Sequence, residues 1–507
     1  MTPLTACIVV AVASSLWLIK YFQTSVLSPL SRIPNAHFSA PYSSLWLFWH
    51  RGRKNENKAR LAAHEKYGPV VRVAPYELSV NCVEGGVKTI YDGDFEKGEW
   101  YTAFMNYGHH LMFSTRENKI HTERKRMIIR VFSNTFVHAS ETLTGILRTI
   151  IYDRYIPQMR TWAENGAPVN IFQENKALFM DLITAYFFGL KSSTNLIENS
   201  DERTVLPSFE LGLSELFWRL DVPNLTKLMS FFCMSPLPDG MSPACEAMEE
   251  FNLSLVNRSS DALQSGEVND PKYHPVVYAQ LRQKLEASKT IPPEQLDTVI
   301  AAETLDHIGA SHQGTSITVS YLMCEIARRP SIVSRLKKEL LLVELDFASS
   351  HQIDALPVLD AVPMETLRLH PPSWGPFTRQ VPAQGAKIGD YYVPGGTTVA
   401  SSAYALHRNP NVFPNPVEWN PDRWLDATPE AKKEMMRWFW VFGSGGRMCP
   451  GNHLIMRMMK AVLVAVFKEF ESVQVPETRM EQVEDFVGCP LNQSVMLAFK
   501  RTEPIAS

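Results

Sequence analysis

The sequence predicts a mainly α-helical fold with a small β-sheet subdomain, and three observations carry that prediction. Apolar residues recur at helical spacing over most of the chain after Trp46. Prolines bracket the longest helical stretch, with Pro292-Pro293 before residues 294–329 and Pro330 after them. Alternating, β-branched runs are few and short. The chain has 507 residues, 45% hydrophobic and 20% charged, which is ordinary globular composition with apolar material for a large core. A formal net charge of −3 gives no electrostatic reason to expect a nucleic-acid partner. Seven scattered cysteines form no C-x-x-C pair. They indicate neither a disulfide scaffold nor a zinc cage and fit a reducing compartment.

Residues 1–20 read as a membrane anchor. Pro3 to Ile19 carries no charge, which is the lower limit for spanning a bilayer, and Lys20 and Arg32 follow. A cleavable signal peptide is the alternative, because Ala11-Val12-Ala13 resembles a cleavage site. The apolar run continues through Leu16, Trp17, Leu18 and Ile19, and no positive residue precedes it. Those features favour an uncleaved single-pass anchor with the remainder in the cytosol. Residues 21–45, with Pro29, Pro34 and Pro41, read as a stiff linker, and residues 46–507 as one large domain.

Within that domain, residues 120–132 predict a basic-faced helix and 169–190 an apolar one. Residues 294–329 predict a long helix, 331–343 a charged amphipathic helix, and 363–369 a short one that stops at Pro371-Pro372. Strands are predicted at 70–73 and 77–80, and over 386–400 with a break at Pro394-Gly395-Gly396.

The strongest chemical signal is Phe442-Gly443-Ser444-Gly445-Gly446-Arg447-Met448-Cys449-Pro450-Gly451. A lone cysteine is usually a small buried hydrophobe. Here the glycines allow a tight loop whose amides turn toward sulfur. Pro450 suits the first position of a helix through Leu454, Met458 and Val462. A cysteine at a helix N-terminus is favoured as thiolate, the form that binds iron.

This segment resembles the haem-binding loop of the cytochrome P450 family, F-x-x-G-x-R-x-C-x-G, at Phe442, Gly445, Arg447, Cys449 and Gly451. The resemblance implies haem b with Cys449 as axial thiolate, a ligand that favours O–O cleavage. Phe442 would shield the sulfur and Arg447 would pair with a propionate. Glu365-Thr366-Leu367-Arg368 looks like the family's E-x-x-R, although on an arbitrary helix such a pair is usually a surface ion pair. Asn420-Pro421-Asp422-Arg423-Trp424 resembles the segment that brings Arg423 to Glu365 and Arg368 in a buried network. Arg379 stands where the family has another propionate contact. His121 and Lys125 take the places of W-x-x-x-R, a partial match. Arg126 and Arg130 read equally as a solvated face or, with Lys432, Lys433 and Arg437, as a docking surface for an acidic electron donor.

The long helix departs from the family. Asp306-His307 sets a frame in which A/G-G-x-D/E-T-T becomes Ala310-Ser311-His312-Gln313-Gly314-Thr315. Gln313 replaces the acid and Gly314 the oxygen-activating threonine; a glutamine amide exchanges protons poorly. Three explanations compete. Thr315 reaches the pocket through a local bulge; Ser311 or His312 supplies the hydroxyl or proton; or dioxygen is not split in the usual way. A histidine inside a helix is more often simply packed.

The resemblance implies a haem-thiolate monooxygenase at the endoplasmic-reticulum membrane, its catalytic domain facing the cytosol. It would insert one oxygen atom from O2 into a hydrophobic small molecule, in the manner of fungal members that build secondary metabolites. Electrons would come from NADPH through a separate flavoprotein reductase, since no dinucleotide fingerprint follows. Apolar segments at 209–218 and 231–234 read as a pocket roof, ordinary core or membrane-facing surface. Two alternatives stay open: an isomerase or dehydratase that uses no external electrons, and a non-catalytic haem-binding protein.

Overall fold

The computed structural model describes residues 3–341 and 350–502. Its axis is the 32-residue helix Leu296–Ala327, which no proline interrupts and which is buried along most of its length. Against it pack Ile171–Phe188, Met241–Gln264, Val276–Ser288 and Pro357–Leu369, all helices. Ile171–Phe188 is apolar almost all round, as befits a helix surrounded by others. Its Asn175 is buried and meets the central helix, donating Nδ2–H to Ser320 Oγ at 2.9 Å. Asn252 of Met241–Gln264 likewise donates to the Ala301 carbonyl at 2.8 Å. Buried amides thus fix the register of helices whose apolar faces alone would slide.

The predicted helix over 169–190 divides. Val169–Asn170 is a strand that pairs antiparallel with Met496–Arg501, Asn170 opposite Met496, and the helix starts at Ile171. Only a strand from the far end of the chain makes that division, so local periodicity could not show it. The short helix expected at 363–369 begins earlier, at Pro357, and carries Pro363 inside it. The Glu339 carboxylate caps its start, accepting from Val358 N–H at 2.8 Å and Leu359 N–H at 3.0 Å. The amphipathic helix runs Pro330–Leu340, and residues 342 and 343 of the prediction over 331–343 lie outside the described residues.

The main sheet has four strands in the order Val70–Ala74, Glu77–Val80, Thr398–Ser401, Phe377–Gln380. The outer pairs are antiparallel and the middle pair parallel, with Leu78 opposite Val399 and Arg379 opposite Val399 on its other side. Residues 28–42, expected as linker, are tied to this sheet. Arg72 N–H donates to Pro34 O at 2.8 Å, Ala36 N–H donates back to Arg72 O at 2.9 Å, and Leu30 and Ile33 are buried. The prolines stiffen the segment, and its apolar residues decide where it lies.

The membrane span expected over residues 1–20 is not supported by the described residues. Pro3–Phe22 is a helix, but among the described residues no helix is long and apolar enough to cross a membrane. Thr5, Ser14 and Ser15 break the apolar run and Lys20 ends it, one residue after a stretch already at the minimum length. The side chains of Val9, Val10 and Trp17 lie outside the described residues.

Candidate active site

The cysteine loop joins the helix Pro429–Trp438 to the helix Asn452–Glu469. Gly443 and Gly445 have φ of 68° and 66°, the left-handed region where a side chain is strained. At Gly445 space forbids one as well, since a Cβ there would stand 2.1 Å from the Tyr91 carbonyl oxygen. Cys449 N–H donates to Phe442 O at 2.9 Å and closes the loop. Gly451 caps the following helix, so Pro450 lies just outside it rather than at its first position. The Gly451 and Asn452 amides point at the Cys449 sulfur. Burial raises the thiol's pKa, while those amides and the Lys125 charge oppose the rise.

Lys125 braces the loop. Its ammonium donates to Gly446 O at 2.9 Å and Met448 O at 3.1 Å. Arg447 turns the other way, donating to the carbonyls of Thr115 and Arg116 and to Asn118 Oδ1. It belongs to a cluster of basic side chains with neutral His121 and with Arg379 and Lys97. Lys97 is 6% and Arg379 5% exposed, and among the described residues neither forms an ion pair. Lys97 donates to Phe113 O, and Arg379 to Thr378 O at 2.8 Å. Burial, then the Arg379 and Arg447 charges, hold the Lys97 ammonium well below its ordinary pKa. Burial and the same neighbours push His121 down to about 3. Burial and Arg379 push Arg447 down to about 10. Lys97 was not among the residues singled out from the sequence. It sits in the irregular segment before the short helix Glu99–Ala103, and no motif spacing marks it.

Glu365 and Arg368 have no exposed side-chain surface. Glu365 also accepts from Arg423 Nε at 3.0 Å, Trp424 Nε1 at 3.0 Å and Asn420 N–H at 2.9 Å. The spare guanidinium N–H groups of Arg368 reach the carbonyls of His407, Pro416 and Glu418. His407, which sequence reasoning missed, carries this network to the cysteine loop. Its Nδ1 lies 3.0 Å from Arg368 O, and its Nε2 accepts Trp440 N–H at 2.8 Å. Burial and Arg368 push its pKa down to about 3, so it is neutral with the proton on Nδ1.

On the central helix, Ala310 is exposed within an otherwise buried stretch and shares a face with Gly314 one turn on. A Cβ at Gly314 would touch only Pro372, at 3.7 Å. The helix stays α-helical through this point, so the local bulge considered for Thr315 is not found. Thr315 is buried and its hydroxyl donates to Ser311 O at 2.7 Å. His312 is fully buried, Nδ1 2.8 Å from Ile308 O, its ring edge-on to Phe209 at 4.9 Å. Burial pushes its pKa down to about 4. Gln313 lines a different cavity, between residues 207–215 and 483–493. Ser311 alone of the four polar candidates is half-exposed beside Ala310. The structure therefore brings together Cys449, Lys125, His121, Arg379 and Arg447, and separates Gln313 and His312 from the open face.

A cavity of about 370 Å³ adjoins the site, lined by the rings of Trp100, Phe217 and Phe486 and by the charged side chains of Arg51, Lys54 and Glu484.

A mainly helical domain with a cysteine loop braced at a helix N-terminus beside a cluster of basic side chains is the setting that a haem-thiolate protein requires. The chain belongs to the cytochrome P450 family, whose family model matches residues 39–496. It is an oxidoreductase of the P450 monooxygenase kind. It is similar to cytochrome P450 monooxygenase orf2 of Aspergillus niger, 27% identical over 95% of this chain and 93% of that one. It is also similar to cytochrome P450 monooxygenase tazI of Aspergillus terreus, 27% identical over 88% of this chain and 89% of the other. A third relative, cytochrome P450 monooxygenase oblB of Emericella variicolor, is 26% identical over 91% and 86%.

Proposed function

We propose that the chain holds haem b through Cys449 and inserts one oxygen atom from O2 into an apolar small molecule, in secondary-metabolite biosynthesis. The observation that carries this is the cluster of Lys97, Arg379, Arg447 and His121 beside the Cys449 loop. Lys97 and Arg379 are buried with no ion pair among the described residues, and Arg447 stands beside them. The charges of Asp306, Glu96 and Asp94 offset the burial and mutual repulsion of Lys97 and Arg447 only in part, so two propionates are anions this cluster would accept. The donor set thus fits the group. The haem, when bound, supplies the binding and activation of dioxygen.

The protein's own residues do the rest. Gly451 and Asn452 amides favour sulfur as thiolate, and Gly445 lets the loop close against Tyr91. Phe442 and Gly451 shape the loop around the sulfur. Lys125, expected as a haem contact, acts in this reading as the loop's brace. Glu365, Arg368 and Arg423 hold the scaffold through His407. Gly314 leaves room for ordered water beside Ala310 and Ser311. Protons would arrive there through Ser311 and water: the Thr315 hydroxyl is spent on Ser311 O, Gln313 lines the other cavity, and His312 is fully buried with Nδ1 on Ile308 O and Nε2 without a hydrogen-bond partner.

Electrons would come from NADPH through a separate flavoprotein reductase, drawn to the exposed cations of the helix Asn118–Phe132 and to Lys432 and Lys433. An endoplasmic-reticulum location with the domain facing the cytosol rests on the family resemblance alone.

Gly314 and Gln313 favour a second reading, an isomerase or dehydratase acting on a peroxide. Incubation with a panel of lipophilic compounds, O2, NADPH and a fungal reductase separates the two. Product gaining one atom of 18O from 18O2 supports monooxygenation. Turnover of a hydroperoxide without reductase or NADPH supports the second reading.

A further inference from the structure

Charge is unevenly shared around the 370 Å³ cavity. Among the described residues that line it, Arg51 and Lys54 are the cations, against Glu56, Glu77, Glu215, Asp221, Glu484 and Asp485. Glu99 also lines it and is paired with Arg116. Arg51 takes Glu56, Glu77 and Asp221, and Lys54 takes Glu215 and Asp485. Arg60, fully buried, shares Glu56 and Glu77. Glu484 is left without an ion pair among the described residues. It is 6% exposed, and its Oε1 accepts from the Asn57 backbone N–H and, at 3.1 Å, from Asn57 Nδ2–H. Its Oε2 is buried with no hydrogen-bond partner. Burial, with the Glu56 charge, pushes Glu484 up to about 7 against the opposing N–H groups of Asn57 and Lys58. Asp221 is also held above its ordinary pKa, by burial and then by Glu56 and Glu77, although Arg51 opposes. Both shifts mark a cavity short of positive charge. The rings of Trp100, Phe217 and Phe486 line the same space, Trp100 and Phe486 with centroids 6.2 Å apart. Ring faces carry partial negative charge and favour a cation as well.

We propose that this cavity selects substrates bearing a protonated amine, with Glu484 as the anchor and the rings of Trp100, Phe217 and Phe486 around the adjoining carbon chain. The proposal rests on the reading of the chain as an oxygenase of apolar small molecules, and it adds a basic nitrogen to that substrate class. A protonated tertiary amine brings the charge that the wall lacks and one N–H for Glu484 Oε2.

The test compares three ligands of one length on the haem-loaded full chain at pH 8. They are N,N-dimethyl-6-phenylhexylamine, which is protonated there, the uncharged 8-phenyloctan-2-one, and the anion 7-phenylheptanoate. Dissociation constants from calorimetry should favour the amine over the ketone about ten- to thirtyfold, with the carboxylate weakest. Glu484→Gln, which keeps an acceptor for Asn57, should shrink that ratio to about two- to threefold, the part owed to the rings, and leave the ketone unmoved. Lys54→Met strips a cation from the wall and should enlarge the ratio instead. If Glu484→Gln fails to fold, the Lys54→Met result decides. Amine and ketone bound alike, or a ratio that Glu484→Gln leaves unchanged, overturns the proposal. A chain that takes up no haem counts against the haem reading instead, and the calorimetric ratio still decides the preference for a cation.

Discussion

Arg368 grips Glu365 through two parallel hydrogen bonds, Nη2 to Oε1 at 2.8 Å and Nε to Oε2 at 2.9 Å, with neither side chain reached by solvent. Two charges taken out of water survive only because every polar atom has a partner, including Arg423, Trp424 and three backbone carbonyls. Removing one partner strands the other. Arg368→Met should therefore destabilise the fold by about 3–5 kcal/mol, read as a lower denaturation midpoint. Arg368→Lys should recover little, since an ammonium cannot reproduce the planar fork.

Gly445 is the tightest point of the cysteine loop. Gly445→Ala would force a Cβ to within 2.1 Å of the Tyr91 carbonyl and a side chain into φ 66°. The loop must open to accept it. Haem content of the purified variant should fall to a small fraction of the natural level, whereas Gly451→Ala, with open space around its Cβ, should retain most of it.

At Gly314 the reverse holds, because Pro372 at 3.7 Å is ordinary contact. Gly314→Thr should fold as well as the natural protein or slightly better, threonine being the better helix former. It also places a hydroxyl on the face shared with Ala310. Product formed per NADPH consumed should change; an unaltered ratio would show that this face takes no part in proton handling.

Glu484 gives a pH signature remote from the cysteine. It is 6% exposed, and burial pushes its pKa up to about 7. A folded-state pKa raised above the unfolded one means the native protein binds the extra proton. The stability this contributes is complete below about pH 4.5 and is lost as pH rises through 7. The span is on the order of 3 kcal/mol. Glu484→Gln keeps an oxygen to accept from Asn57 and should flatten the urea-midpoint profile between pH 4.5 and 7.5. An identical slope in both proteins would refute the burial argument.

The parts of the site written in contiguous residues were legible. Cys449, Arg447 and the glycines announce their loop because backbone geometry there demands those residue types at fixed spacing. Glu365 and Arg368 sit one helical turn apart, so their pairing follows from helix geometry, while their complete burial does not. Lys97 and His407 were silent, because a long-range fold alone carries them to the cation cluster and to Trp440. The central helix misled in a different way. Gln313 and His312 stand in the right places along the sequence, yet their azimuth about the helix axis sends them toward other walls. The N-terminal region misled because a proline count describes stiffness and says nothing about where Leu30 and Ile33 find apolar company.

The claim on which the account turns is that the Cys449 sulfur binds haem iron. The absorption spectrum of the reduced protein under carbon monoxide tests it most directly, in the natural protein and in Cys449→Ala. The account predicts the far-red-shifted Soret band of a thiolate-ligated haem in the first and its complete loss in the second. Natural protein with a histidine-type spectrum, or a Cys449→Ala variant that keeps the shifted band, would contradict it.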